Sequence, residues 1–336
     1  MARLGAHTIR YETRPCVVAG AAIVGPKEGA GPMGREFDQV LDDDRLGQDT
    51  YEKSEAELMT RTAYLTLKKA GLRPEQLQLM IAGDLEQQIL AATICARELG
   101  AGFLGVYGAC STIAESMLVG AALIDAGHVD NALCVTSSHF STAEREFRYP
   151  QELGNQRTPS SQRTVTGSGA VVLATDGAAR ARVELGTYGR VIDYDIPDVN
   201  NMGAAMAPAA ADTLCAHFDD SGRTPADYDL IVTGDLGRIG RELLRDLMEQ
   251  RGRPLPDDKL LDCGANMFTP EQDSCAGGSG CACLACVFGS MLLDRLAAGE
   301  LRRILIMGTG ALLSPVSSLQ GESIPSIAHA LSIERP

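Results

Sequence analysis

The sequence contains no tryptophan and only 7 phenylalanines and 8 tyrosines in 336 residues. Such a core cannot rest on large rings. The 36 glycines and the many alanines point instead to close approach of backbone between helices and sheet. Positive charge is also short: 30 Lys and Arg against 44 Asp and Glu give a formal net charge of −14. A nucleic-acid backbone needs a cationic surface, so nucleic acid is excluded as a partner, and a small anion would need a local basic pocket. No apolar run reaches the ~18–20 residues of a membrane-spanning helix. The longest candidate, residues 113–129, is interrupted by Glu115, Asp125 and His128. The first residues carry no apolar signal segment. The expectation is a chain that is soluble or at most peripheral to a membrane, with its 10 cysteines as free thiols.

What is present is a repeat. Residues 71–85 align without a gap on residues 222–236, with identical pairs Gly71/Gly222, Pro74/Pro225, Leu79/Leu230, Gly83/Gly234, Asp84/Asp235 and Leu85/Leu236. A weaker echo follows each copy, a small-residue helix and then a strand, over residues 108–138 and 280–310. A period of ~150 residues is too long for a solenoid unit and implies a duplicated domain, with a site where the halves meet. Short apolar strands alternating with helical patterns predict α/β architecture with largely parallel sheets. The expected halves are residues 1–180, carrying Cys110, and residues 181–336. Residues 52–70 read as a helix stopped by Gly71, and residues 137–166 as a long irregular loop rich in Arg and aromatics.

Cys110 follows a predicted strand and opens a helix, where unpaired N–H groups and the helix dipole lower a thiol pKa and favour an acyl-accepting nucleophile. The plainer reading is a small residue packed where strand meets helix. Asp84 and Asp235 follow equivalent strands. An Asp in that position ordinarily caps the next helix; alternatively both face the cleft between the halves, where hard oxygen ligands would suit a Ca²⁺ ion arriving with a dicarboxylate. In the segment 139–163, Arg145 and Arg148 are candidates for carboxylate recognition, with Phe140, Phe147 or Tyr149 stacking on a flat ring. A dimer interface, or pairing with Glu144, Glu146 and Glu152, accounts for the same residues. His139 is a further candidate for the pocket, although a lone His is more often structural. Cys275, Cys281, Cys283 and Cys286 are spaced around a helix axis rather than along one face, which favours small-residue packing over zinc or an iron–sulfur cluster.

Three motifs carry a resemblance spanning nearly the whole chain: Val106-Tyr-Gly-Ala-Cys110, Thr166-Gly-Ser-Gly-Ala-Val-Val-Leu173 and Leu305-Ile-Met-Gly-Thr-Gly310. They resemble the nucleophile turn and the Gly-rich turns of thiolases and ketoacyl synthases. That resemblance implies duplicated βαβαβαββ halves in a five-layer α-β-α-β-α sandwich, usually a homodimer. More narrowly, Ser137-Ser-His-Phe140, Glu144-Arg-Glu-Phe-Arg-Tyr-Pro150, Gly234-Asp-Leu-Gly237 and Asp262-Cys-Gly264 are similar to the stage V sporulation AD family of spore-forming bacteria. Membership implies binding of dipicolinic acid (pyridine-2,6-dicarboxylate) for uptake into the developing spore. It also implies membrane-embedded stage V sporulation partner proteins, through which the chain would sit at the forespore inner membrane. Acyl transfer on this fold requires a His and a second His or Asn from the second half. Gly234 and Asp235 stand at the first place, and Gly277 or Gly278 at the second. The expectation is therefore a non-catalytic binder without a resident cofactor or metal, Ca²⁺ entering only with the ligand. The alternatives are an acyltransferase of ketoacyl synthase type using Cys110 and a scaffold whose pocket has closed.

Overall fold

The repeated segments fold alike, and each step has a local cause. In the computed structural model, residues 2–147 and 157–336 are described. Helix α1 (Tyr51–Ala70) ends at Gly71, whose φ of +69° lets its N–H reach back to the carbonyls of the last turn. Pro74 then opens a single 3₁₀ turn before strand β2 (Leu79–Gly83). The second copy repeats this order with helix α5 (Met202–Ser221), Gly222 at φ +69°, the turn Pro225–Asp227 and strand β7 (Leu230–Thr233).

Each half builds a five-stranded array. The first half uses β1 (Cys16–Val24), β2, β3 (Gly102–Gly105), β4 (Asn131–Ser138) and β5 (Gly167–Ala174), in the order β1-β5-β4-β2-β3. The second uses β6 (Ala181–Thr187), β7, β8 (Leu260–Asp262), β9 (Arg303–Ala311) and β10 (Ser326–Glu334), in the order β6-β10-β9-β7-β8. The two orders correspond strand for strand. The arrays meet where β1 and β6 pair through Val17–Ala181 and Cys16–Arg182. The sheets are mixed rather than largely parallel: β5 runs antiparallel to both β1 and β4, and β10 to both β6 and β9. The remaining neighbours, β4-β2-β3 and β9-β7-β8, pair in parallel.

Between the arrays lie helix α3 (Thr112–Asp125) from the first half and a continuous helical stretch from the second, α7 (Ala282–Val287), a π turn over Phe288–Leu292, and α8 (Leu293–Ala297). On the outside, α1 and α2 (Leu90–Leu99) cover one sheet, while α5 and α6 (Gly237–Gln250) cover the other. The long segment before β5 is less irregular than its composition suggests. Residues 140–147 form helix α4, and Arg163–Thr164 pairs in parallel with Gly278–Ser279.

The central layer is packed through glycine. A Cβ placed on Gly169 of β5 would lie 2.2 Å from the carbonyl carbon of Ala285 in α7, and one on Gly20 of β1 would lie 2.5 Å from the carbonyl oxygen of Gly289. In the other direction, a Cβ on Gly310 of β9 would lie 2.2 Å from the Gly108 carbonyl oxygen. Strands of each half thus lie directly on backbone of the other half, and Cys281, Cys283 and Cys286 are fully buried in the layer between them. All three are buried free thiols, and no cluster that could hold a metal occurs among the described residues.

Gly169→Ala should therefore overpack backbone against backbone and destabilise by about 1–3 kcal/mol. Gly71→Ala, at a left-handed position with open space around it, should cost only about 1–2 kcal/mol of backbone strain. Urea unfolding of both variants checks the order.

Candidate functional site

Strand β3 delivers the chain to a tight turn at Ala109–Ser111 that opens α3. Ala109 holds a left-handed φ of +49° although it carries a side chain, a strained backbone of the kind that persists where a fold over-determines it. This turn presents Cys110 to a chamber lined by Leu85, Tyr107, Phe147, Met202 and Leu313, with Thr164, Ser279 and Gly280 as its polar members. Cys110 is 7% exposed, at the chamber floor.

From the second half, Asp235 comes to Cys110 and accepts a hydrogen bond from its thiol. Asp235 is saturated: its carboxylate also accepts from the Gly280 N–H at 2.9 Å and the Thr309 hydroxyl at 2.8 Å. Burial pushes its pKa up to about 7 against these hydrogen bonds. The thiol moves the same way. Burial raises the Cys110 pKa well above the ordinary thiol value, and the Asp235 carboxylate raises it further. This reverses the expectation of a helix-activated thiolate: an N–H from Gly280 favours the anion, but desolvation and a facing carboxylate outweigh it.

The two equivalent aspartates have parted company. Asp84 is a buried cap, accepting from the Glu86 N–H at 2.9 Å and from the Ala92 N–H of α2 at 2.8 Å. Asp235 caps nothing, because Asp262 has taken the start of α6, accepting from the N–H groups of Leu236 and Gly237 and from the Thr233 hydroxyl. Asp235 is thereby left to face Cys110. Neither Asp84 nor Asp235 lines the chamber among the described residues.

Gly234 follows β7 with space beside it, its nearest neighbours to a Cβ lying 3.4 Å away. Gly277 has a φ of +119°, and a Cβ there would sit 2.5 Å from the Gly264 carbonyl oxygen. Gly278 is tight, its Cβ meeting Val165 at 3.0 Å. Gly280, at φ +101°, would press on the Ser138 hydroxyl at 2.7 Å. A side-chain base at 277 or 280 is sterically excluded.

His139 lies outside the chamber lining. It is buried, its Nε2 donates to the Asp44 carbonyl at 2.8 Å and its Nδ1 accepts from the Ser141 N–H at 3.1 Å, the structural reading. His217 bridges the Thr187 and Tyr228 hydroxyls, and burial holds its pKa down to about 3. Arg145 pairs with Glu52 and lines a second cavity, which shares Leu85 and Ala143 with the Cys110 chamber. Arg148, Tyr149 and Glu152 lie outside the described residues. Two residues that the sequence reading missed lie at that second cavity: Glu86 in its wall, and Glu55 buried behind it and bonded to the wall residue Thr142. Glu55 could have been found: it precedes Leu58 and Met59 by one helical turn and so falls on the buried stripe of α1.

These geometries predict an inert thiol. At pH 8, iodoacetamide should alkylate Cys110 at least about tenfold more slowly than the partly exposed Cys275 and Cys215. Asp235→Asn, which removes the facing charge, should speed Cys110 alkylation severalfold at the same pH; peptide mapping by mass spectrometry reads both.

Residues 5–334 match the family described as Stage V sporulation protein AD. The protein of that name from Bacillus subtilis strain 168 is 44% identical over 332 residues, covering 98% of this chain and 97% of the relative. Among solved structures, a Xanthomonas campestris OleA variant bound with cerulenin superposes with a TM-score of 0.65 at 16% identity, over 97% of this chain and 98% of that one. The 3-oxoacyl-[acyl-carrier-protein] synthase III of Aquifex aeolicus VF5 does so with a TM-score of 0.58 at 13% identity, over 95% and 99%. The architecture is that of the thiolase and ketoacyl synthase III fold, and by family this chain is a stage V sporulation protein AD.

Proposed function

We propose that this protein is a non-catalytic member of its fold that binds dipicolinic acid in the Cys110 chamber for uptake into the developing spore. It would act as a homodimer at the forespore inner membrane, beside membrane-embedded partners. The observation that carries the non-catalytic part is the replacement of base and oxyanion donors by Asp235 and by Gly277, whose backbone admits no side chain. A carboxylate in that place cannot donate to an oxyanion, and loss of one such donor alone costs about 10²- to 10³-fold in other enzymes. What remains is a chamber with Tyr107 and Phe147 in its walls, a surface suited to a flat aromatic ring.

The charge of a dicarboxylate has to be met at the edge of this chamber. Among the described residues that line it none is basic, and Arg145 stands across Leu85 and Ala143 in the adjoining cavity. In this reading Arg145, with Arg148 in the segment that follows α4, recognises one carboxylate, and Ca²⁺ enters only as a companion of the ligand. Asp84 and Asp235 contribute through hydrogen bonds they already make rather than as Ca²⁺ ligands. The acyltransferase alternative would have to use Asp235, which accepts the Cys110 thiol hydrogen bond, as its base, and neither His nor Asn lines the chamber among the described residues.

Calorimetric titration with dipicolinate, with and without Ca²⁺, tests the proposal. Wild type should show saturable binding. Phe147→Ala should weaken it about 2- to 10-fold through lost stacking of ~0.5–1.5 kcal/mol. Arg145→Ala should weaken it about 10- to 100-fold through a lost charged hydrogen bond of ~1.5–3 kcal/mol. No heat in either condition rules out direct binding.

A further inference from the structure

Beside the Cys110 chamber lies a group of buried carboxyls that the proposed function does not use. Glu55, fully buried in α1, accepts from the Ser137 hydroxyl at 3.0 Å and the Thr142 hydroxyl at 2.6 Å. It also faces His139 and the Glu86 carboxyl, and with the latter it forms a hydrogen bond. Two carboxyls can bond to each other only if one carries a proton. Glu86 is 7% exposed, and neither of its oxygens receives a hydrogen bond from an N–H or hydroxyl among the described residues. The shared proton is therefore what ties the Glu86 side chain to the body of the protein.

Glu86 belongs to the connection between β2 and α2, residues 84–89, whose Leu85 lines the Cys110 chamber, the adjoining cavity and the groove outside. That connection is strained. Gln88 and Ile89 hold consecutive left-handed φ values of +55° and +52°, a conformation disfavoured for any side chain and most of all for a β-branched one. Asp84 anchors one end by its bonds to Glu86 and Ala92, and the side chain of Ile89 packs near Gly105 at the other. Thus a chamber-lining residue rides on a strained loop whose middle is fastened through a carboxyl–carboxyl contact.

We propose that residues 84–89 form a strained lid over the Cys110 chamber, latched by a proton shared between Glu55 and Glu86, and that loss of this proton releases the lid. The surrounding charges set the direction. Asp84 of the loop and Glu146 of α4 face Glu86 and disfavour a second negative charge there. His139, at the end of β4, acts on Glu55 in the opposite sense, and Arg145 and Glu52 pair at the cavity's far wall. From the central layer, Cys281 lies within the field of Glu55 and Asp84, and Tyr107 within that of Asp84 and Glu146. Burial, then Glu55 and Asp84, push the Glu86 pKa up to about 9, and burial with Glu55 pushes Asp84 up to about 8. The closed lid thus holds a proton that an exposed carboxyl would lose above about pH 4.3. Opening releases it, so closure is favoured at low pH and weakens as pH rises to about 9, above which the effect levels off.

Hydrogen–deuterium exchange of the full chain tests this without knowledge of the ligand. The amides of Glu86, Ile89 and Ala92 are hydrogen-bonded within the closed loop. After correction for the intrinsic pH dependence of exchange, their protection should fall by at least about tenfold per pH unit between pH 6 and pH 8, tenfold for the Glu86 proton and more where the Asp84 proton leaves with it. Glu86→Gln keeps the size and a donor to Glu55 and should flatten that profile. Amides of β1, in the body of the sheet, should keep their protection throughout. The proposal fails if wild-type protection of the loop is flat with pH, if Glu86→Gln keeps the wild-type slope, or if β1 loses protection in parallel, since the response would then be global unfolding.

Discussion

The structure depends on backbone lying against backbone between the two halves. Gly20 and Gly169 of the first half seat the central helix of the second, and Gly308 and Gly310 of the second half seat the Cys110 turn of the first. At these contact points there is no space even for a Cβ, and alanine, cysteine and serine stand beside them in the central layer. It also fixes the site. Thr309 stands between the two glycines of β9, so the contact that joins the halves carries the hydroxyl that holds Asp235 against Cys110.

Electrostatics then sets the character of the Cys110 position. A thiol at a helix start is ordinarily activated by N–H groups, but here it is buried and faces a carboxylate. The same burial acts on Asp235, whose proton affinity rises toward neutrality, and on the carboxyls beside the chamber. Around Cys110 burial thus raises the proton affinity of thiol and carboxyl alike, beside a chamber with Tyr107 and Phe147 in its walls.

Much of this was legible in the sequence. The matched residues 71–85 and 222–236 gave the duplication, and Gly71, Gly222, Pro74 and Pro225 act as their residue types require. The pairing direction of β5 and β10 was not legible, since a buried apolar run reads the same in either orientation. Asp84 and Asp235 are identical in local sequence yet differ in role, because the cap of α6 comes from Asp262, a residue brought near only by the fold. The sign of the Cys110 pKa was missed for the same reason: the helix start is local, while Asp235 and the burial are not. Glu55 lay on the buried stripe of α1 and was readable, but its partner Glu86, in a loop, was not.

The central claim is that Cys110 marks a binding chamber and not a nucleophile. Intact-mass analysis of the wild-type protein after incubation with an acyl-thioester such as acetyl coenzyme A tests it most directly. The account predicts an unchanged mass at pH 7 to 8. An acyl adduct that maps to Cys110 and disappears in Cys110→Ser would contradict it.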